Sequence, residues 1–388
     1  MTICLTSSEV LAHPRITVPL SKSITNRALI LAHLYNKSLP AHLSESDDSI
    51  ALRKQLELYQ TGTNRFHIED GGTSLRFLVA FLAVTCKQET VITMGKAIAN
   101  RPHNDLIDAL NTAGFHVTRT DKTIRILPRS EDLADVWPVH ASTSSQYATA
   151  LALIAPAIEK PIQIELVGDI VSLTYLDMTL TQMQQAGFDV NRSETTITCN
   201  PHRIKTQVIP VIESDWSSAS YFVAWSVVTG QALTIDKLTS NSLQPDQQII
   251  QTAMAFGADV SFMDNGLNVV PGEPQINSLS RDYTDCPDIA MTEYVMCCIL
   301  NVDLNASGIE HLKHKESNRW EIIQRLMDDF ESGINEFDTY NDHRIAMCMA
   351  LCCSVRPICI HNPEVVSKSF PDFWKQFKKL GVDITDGK

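Results

Sequence analysis

The side chains best able to do chemistry in this chain gather at the starts of apolar, helix-forming runs. Lys22, Ser23 and Arg27 open the first run, within the stretch 19–31; Gly71, Gly72 and Thr73 with Arg76 open the second, and Ser144, Ser145 and Gln146 the third. Asp288 opens the fifth, and Asp342, His343 and Arg344 the sixth. Segments between them add Arg101 before Pro102, Ser172 and Tyr175, Lys315 and Glu316 with Arg319, and Lys368. A helix start offers unpaired backbone N–H groups and the positive end of a dipole, and hydroxyls and cations reinforce both. Such a place binds an anion, and a nearby carboxylate can move a proton. Taken singly, each cluster reads as a capped or solvated helix start. Their recurrence in successive segments points to a common centre for a ligand with several negative charges.

The elements that must position these groups are of two kinds. Six nearly all-apolar helices are expected at 23–34, 73–84, 144–154, 217–228, 288–300 and 342–351, and each has to be buried. Six amphipathic helices are expected at 47–59, 104–113, 175–186, 246–256, 316–330 and 372–380. Four of these end at Gly114, Gly187, Gly257 and Gly381, each followed by alternating residues that start a strand. Further strands are expected at 90–94, 123–127, 162–167, 195–199, 232–235, 266–270 and 358–361. The pattern is an α/β chain of six repeated units, three to a domain. Domain crossings are expected near 18–20 and 212–214, giving one discontinuous domain of residues 1–19 plus 215–388 and a second of 20–214. Hinges at both crossings would let a cleft open and close.

Composition narrows the partners. The 388 residues are 44% hydrophobic and 20% charged, a globular balance, and the net charge of −13 argues against nucleic acid or an anionic membrane. No run reads as a secretory signal or a membrane span, so the expected location is the cytoplasm. The ten cysteines fall mostly within apolar runs, which predicts buried reduced thiols and neither a zinc site nor a disulfide framework. The acidic run 44–48 reads as the start and solvated face of an outer helix. Trp216, Tyr221 and Phe222 read as packing residues, and His343 as a structural partner at a helix start.

Read together and in order, the motifs at 21–27, 72–76, 101–102, 144–146, 215–222, 287–292, 315–319, 342–347 and 368–372 resemble the 5-enolpyruvylshikimate-3-phosphate (EPSP) synthase family over nearly the whole chain. The resemblance implies two globular domains, each a threefold repeat of a β/α unit, with the active site in the interdomain cleft. It implies transfer of the enolpyruvyl group of phosphoenolpyruvate to shikimate 3-phosphate, with no cofactor and no metal, by a monomer. Lys22, Ser23, Arg27, Ser144, Ser145, Gln146, Ser172, Tyr175, Asp288, His311 and Lys315 would hold shikimate 3-phosphate. Lys22, Gly72, Arg101, Gln146, Arg319, Arg344 and Lys368 would hold phosphoenolpyruvate. Asp288, Glu316 and Lys22 would move the protons. The chain departs from the family's usual residues at Leu20, Asp70, Phe77, Leu173, His311 and Asn318. The rival readings are a related enzyme acting on a UDP-amino sugar and a non-catalytic protein that binds phosphorylated metabolites.

Overall fold

A computed structural model describes every residue except 9–11, 202–208, 210, 264, 275 and 388. The chain forms two compact units, Met1–Leu20 with Glu213–Lys388 and, between them in sequence, Ser21–Ile212. Strands β1 (Thr2–Ser7) and β2 (Arg15–Thr17) open the first unit. The second unit follows with α1 (Lys22–Tyr35), α2 (Asp47–Gln60), β3 (Arg65–Ile68), α3 (Gly72–Thr85), β4 (Thr90–Met94), α4 (Lys96–Ala99), α5 (Asn104–Thr112), β5 (His116–Thr120), β6 (Thr123–Leu127), β7 (Val136–His140), α6 (Gln146–Ile154), β8 (Ile162–Val167), α7 (Leu173–Gln185), β9 (Val190–Ser193) and β10 (Thr196–Cys199). The first unit then resumes with α8 (Trp216–Thr229), β11 (Leu233–Asp236), α9 (Ile249–Ala255), β12 (Asp259–Met263), β13 (Gly266–Val270), β14 (Ser278–Asp282), α10 (Ala290–Ile299), β15 (Asp303–Ser307), α11 (Arg319–Glu331), β16 (Glu336–Asp338), α12 (His343–Met349), β17 (Ile358–His361), α13 (Phe373–Lys378) and β18 (Val382–Asp386).

One sheet topology recurs. The orders β3-β4-β6-β5, β7-β8-β10-β9, β2-β11-β13-β12 and β16-β17-β1-β18 each begin with a parallel pair and continue with two antiparallel pairings. A further parallel pair joins β14 to β15. Parallel neighbours cannot be joined by a tight turn, so a helix has to make the crossover. The apolar helices do this: α3 between β3 and β4, α6 between β7 and β8, α10 between β14 and β15, and α12 between β16 and β17. In the β2 sheet the crossover to β11 carries the whole second unit and then α8. Leu20 and Ser214 form an antiparallel bridge where the chain leaves and returns, and the Asp215 N–H donates to the Pro19 carbonyl at 2.8 Å.

The crossover helices are apolar all round because both faces are covered. In α3 the residues Leu75, Phe77, Leu78, Phe81 and Leu82 are fully or nearly fully buried, as are Trp216, Tyr221, Phe222 and Trp225 in α8. Each such side chain contributes about 1.5–3 kcal/mol of burial, enough to seat a helix whose polar start is left for other work. Those starts are capped as their sequence suggests: Ser21 Oγ accepts the Ile24 N–H, and Asp215 and Asp342 accept the N–H groups of Ser218 and Arg344. The four outer helices that stop at glycine do so at φ between +86° and +100°, the left-handed region in which a side chain is strained.

Two starts differ from expectation in a way that matters below. Pro287 turns the beginning of the helix expected from 288 into a 3-10 turn, Pro287–Ile289, ahead of α10. The helix expected from 316 begins at Arg319, so Lys315 and Glu316 precede it. The cysteines also need a correction. Eight are free thiols, seven of them buried, but Cys4 and Cys359 form a disulfide between register partners of β1 and β17. They are 355 residues apart, and only the entry of β1 into the last repeat's sheet makes them neighbours.

Candidate active site

The topology puts the reactive residues at equivalent points. Gly72 follows β3, Ser144 to Gln146 follow β7, Asp288 follows β14 and Arg344 follows β16. Arg101, Ser172, Glu316 and Lys368 follow the second strand of each parallel pair, β4, β8, β15 and β17. Both groups therefore lie beyond the carboxyl ends of parallel strands, where open α/β sheets bind their ligands.

In the second unit, Lys22 Nζ donates to Asp48 Oδ2 at 3.0 Å. The Arg101 guanidinium covers Gly72 so closely that a Cβ there would lie 3.0 Å from its Cζ and would push the guanidinium aside by a few tenths of an ångström. Gln146 is oriented by Arg76, whose Nη1 donates to Gln146 Oε1 at 2.6 Å while its Nη2 donates to the Pro102 carbonyl at 3.0 Å. Ser144 Oγ accepts the Gln146 N–H, and Ser145 is buried beside it. Ser172 holds φ +54° at the start of α7, its carbonyl accepting the Tyr175 N–H at 3.1 Å.

Arg27 is an internal tie. It donates to Thr179 Oγ1 at 2.6 Å, to the Ser23 carbonyl at 2.7 Å and to the Tyr175 carbonyl at 3.2 Å, and lies over the Phe77 ring. Burial lowers its pKa to about 10, so it stays charged at neutral pH. Phe77, where the family usually has proline, thus gives that cation an aromatic face. Asp70, in place of the usual asparagine, accepts the Gly71 N–H at 2.7 Å.

The first unit holds a chain of charges. Asp288 Oδ1 accepts from Arg319 Nη1 at 3.3 Å and its Oδ2 from Arg344 Nη2 at 2.7 Å. Glu316 Oε2 accepts from Arg319 Nη2 at 2.5 Å, and Glu316 Oε1 lies 3.6 Å from Lys368 Nζ. Fully buried Asp342 takes Arg319 Nε at 2.8 Å and the Ser317 hydroxyl at 3.0 Å. Burial alone would lower the Arg319 pKa, but Asp342 and then Glu316 outweigh it and raise it, so this guanidinium is charged at every working pH. Arg344 Nη1 donates to the Tyr221 hydroxyl at 3.2 Å. Lys315 precedes Glu316 and is half-buried. Among the described residues, no set of three or more histidines, cysteines and carboxylates is grouped to hold a metal, and no helix is long and apolar enough to cross a membrane.

His311 lies in the 3-10 turn Glu310–His314 and is 5% exposed. Burial first, then Lys315, pushes its pKa down to about 4, so the imidazole is neutral at pH 7, like the asparagine it replaces. Its Nε2 is buried without a hydrogen-bond partner. Because the folded state resists protonating His311, its contribution is complete above the unfolded pKa near 6.5 and is lost as pH falls toward 4. Between pH 7 and 5 that loss should be about 2 kcal/mol. Urea melts of His311→Asn should show a correspondingly flatter pH dependence, and parallel wild-type and variant curves would remove His311 as the source.

The sequence missed the supports. Arg76 and Asp342 were grouped with the anion-binding clusters, yet each serves by holding a neighbour. Tyr221 is core packing as expected, but its hydroxyl also accepts from Arg344. Asp48 is the largest correction: it begins an outer helix as expected, but its carboxylate is 5% exposed and paired with Lys22, not solvated.

Cations and carboxylates fixed at helix starts beyond parallel strands define an α/β enzyme acting on small, multiply anionic metabolites. The sequence model of the EPSP synthase family, 3-phosphoshikimate 1-carboxyvinyltransferase, matches residues 37–377. The chain belongs to that family. A Bacteroides fragilis protein named 3-phosphoshikimate 1-carboxyvinyltransferase is 32% identical over 403 residues, covering 96% of each chain. One of the same name from Herminiimonas arsenicoxydans is 29% identical over 95% of each. Two solved structures of EPSP synthase from Acinetobacter baumannii share the fold, with TM-scores of 0.76 and 0.78 at 16% identity, covering 99% and 100% of this chain and all of theirs.

Proposed function

We propose that the residues described above divide the family's reaction among them as follows. The reaction of the family, and of this chain, moves the enolpyruvyl group of phosphoenolpyruvate to the 5-hydroxyl of shikimate 3-phosphate and releases phosphate, in the shikimate pathway. Shikimate 3-phosphate is held by Lys22, Ser23, Arg27, Ser144, Ser145, Gln146, Ser172 and Tyr175, with Asp288, His311 and Lys315. Phosphoenolpyruvate is held by Lys22, the Gly72 backbone, Arg101, Gln146, Arg319, Arg344 and Lys368. Arginine suits carboxylate and phosphate because its fork pairs with two oxygens and keeps its charge when desolvated.

Asp288 accepts the proton of the 5-hydroxyl as that oxygen adds to C2 of phosphoenolpyruvate. Glu316, with Lys22, delivers a proton to C3, turning the methylene into a methyl group. Glu316, left as a carboxylate, then takes back a methyl proton as the C–O bond to phosphate breaks, which expels phosphate and restores the enol ether. The fixed cations stabilise the departing charge without having to reorganise.

One observation carries this reading: Asp288 lies between Arg319 and Arg344 while Glu316 lies between Arg319 and Lys368. Two acids are thereby fixed among three cations, the inventory that a proton-coupled addition with phosphate loss requires. We place the domain boundaries at 1–19 with 215–388, and 20–214, one or two residues from the edges of the compact units. The enzyme works in the cytoplasm as a monomer, and the location is in keeping with eight cysteines that stay free thiols beside the single Cys4–Cys359 disulfide.

Mixing phosphoenolpyruvate with shikimate 3-phosphate should release phosphate, and replacing the latter by a UDP-amino sugar should abolish release. No phosphate from the first pair at millimolar concentrations would overturn the reading, and release only with the amino sugar would turn it toward the related transferase.

A further inference from the structure

Asp48 has no place in the reaction as divided above, yet it is the most firmly built carboxylate in the second unit. It stands in the first turn of α2, where the helix dipole favours an anion. That turn is anchored from several sides. Ser46 Oγ caps it through the Ser49 N–H, Ser49 Oγ donates to Asn26 Oδ1 of α1 at 2.8 Å, and Ser74 Oγ of α3 donates to the Asp48 carbonyl at 2.7 Å.

From this fixed turn the carboxylate reaches two ways. Oδ2 accepts from Lys22 Nζ at 3.0 Å, with the two side chains 5% and 16% exposed. Oδ1 packs on Gly71: a Cβ there would meet it at 2.6 Å, and Gly71 has φ +111°. Gly71 caps α3 and sets the direction of the next backbone N–H, that of Gly72.

A lysine is a compact charge on a flexible stem, so its ammonium is well placed only if something holds it. A single carboxylate contact occupies one of its three donors and leaves two for an incoming anion.

We propose that Asp48 is a positioning residue that sets the Lys22 ammonium and the Gly71–Gly72 turn together, and so prepares two of the groups that take phosphoenolpyruvate. The inference rests on the functional reading above and adds a residue that acts through others. Asp48 touches no substrate. It aligns a side-chain cation from one helix start with a backbone donor from another.

The test is Asp48→Asn, which keeps the shape and an acceptor but removes the charge. Turning a charge-assisted hydrogen bond into a neutral one predicts a 10- to 100-fold fall in kcat/KM for phosphoenolpyruvate. KM for phosphoenolpyruvate should rise at least tenfold, while KM for shikimate 3-phosphate, which has many other contacts, stays within threefold and the melting temperature stays within a few degrees. A purely structural role would move both KM values and the melting temperature together, and that result overturns the proposal, as does a wild-type KM for phosphoenolpyruvate. Should Asp48→Asn not fold, Gly71→Ala takes its place, since a methyl group there presses on Oδ1. It should give the same selective rise, and an unselective one counts against the proposal. Wild-type protein that releases no phosphate fails the functional reading itself, whereas active wild type with an indifferent Asp48→Asn fails only this inference.

Discussion

Asp288→Asn should lower turnover about a thousandfold, within the range of about 10² to 10⁴ ascribed to a well-placed acid or base. The substitution is nearly isosteric, but it removes the only atom pair at that position able to accept both a substrate proton and two guanidinium groups. In the folded chain both carboxylate oxygens are engaged, Oδ1 by Arg319 and Oδ2 by Arg344. An amide would place N–H donors opposite one of those donors, a pairing that cannot form a hydrogen bond. The variant therefore loses its base and loosens one arginine. Phosphate-release kinetics should show the fall chiefly in kcat, with unfolding curves confirming a folded protein. Turnover above a tenth of wild type would move the proton acceptor elsewhere.

What the sequence disclosed, and what it hid, follows from the range of each interaction. Helix starts are local: a capping serine or aspartate, a glycine stop and an apolar run lie within a dozen residues, so the crossover helices and the β4, β6, β8, β13 and β17 strands could be read directly. The positions of Lys22, Arg101, Asp288, Glu316 and Arg344 could be read because each stands in the first turn of a helix or within three residues before one. The hidden features depend on partners far along the chain. Asp48 looked solvated because its neighbours in sequence are serines and acids, while Lys22 and Gly71, which bury it, lie 26 residues before and 23 after. The Cys4 to Cys359 bond needs β1 to complete the last repeat's sheet. The short β2, three residues long, gave no periodicity of its own, and its parallel partner β11 lies beyond the whole second unit. Arg27 shows a different limit. Its residue type was right for anion binding, but no sequence signal revealed that it donates to Thr179 and two backbone carbonyls.

Arg319 should prove the most expensive side chain to remove from the first unit. The residue is 2% exposed, and its guanidinium touches Asp288, Glu316 and Asp342, the last fully buried. Deleting one partner of a buried ionic cluster leaves the remaining charges desolvated without compensation, a loss of about 3–5 kcal/mol. Arg319→Leu should lose that much in denaturant unfolding, along with measurable phosphate release. Arg319→Lys should lose less stability, since a charge remains, yet a single ammonium cannot reproduce the planar fork that serves three carboxylates at once; its kcat/KM for phosphoenolpyruvate should still fall by a hundredfold or so, about 2.7 kcal/mol. A cycle with Asp342→Asn separates structure from chemistry. Removing the buried acid relieves part of the uncompensated charge, so the stability losses should be non-additive by about 0.5–3 kcal/mol, the range for residues in one charge network. Activity should not recover, because Asp288 and Glu316 would still lack the cation that fixes both. If Arg319→Leu cost under 1 kcal/mol, or if the cycle were additive, the carboxylates would have to be protonated or solvated in the resting protein, and the ordering of the two acids by this arginine would no longer hold.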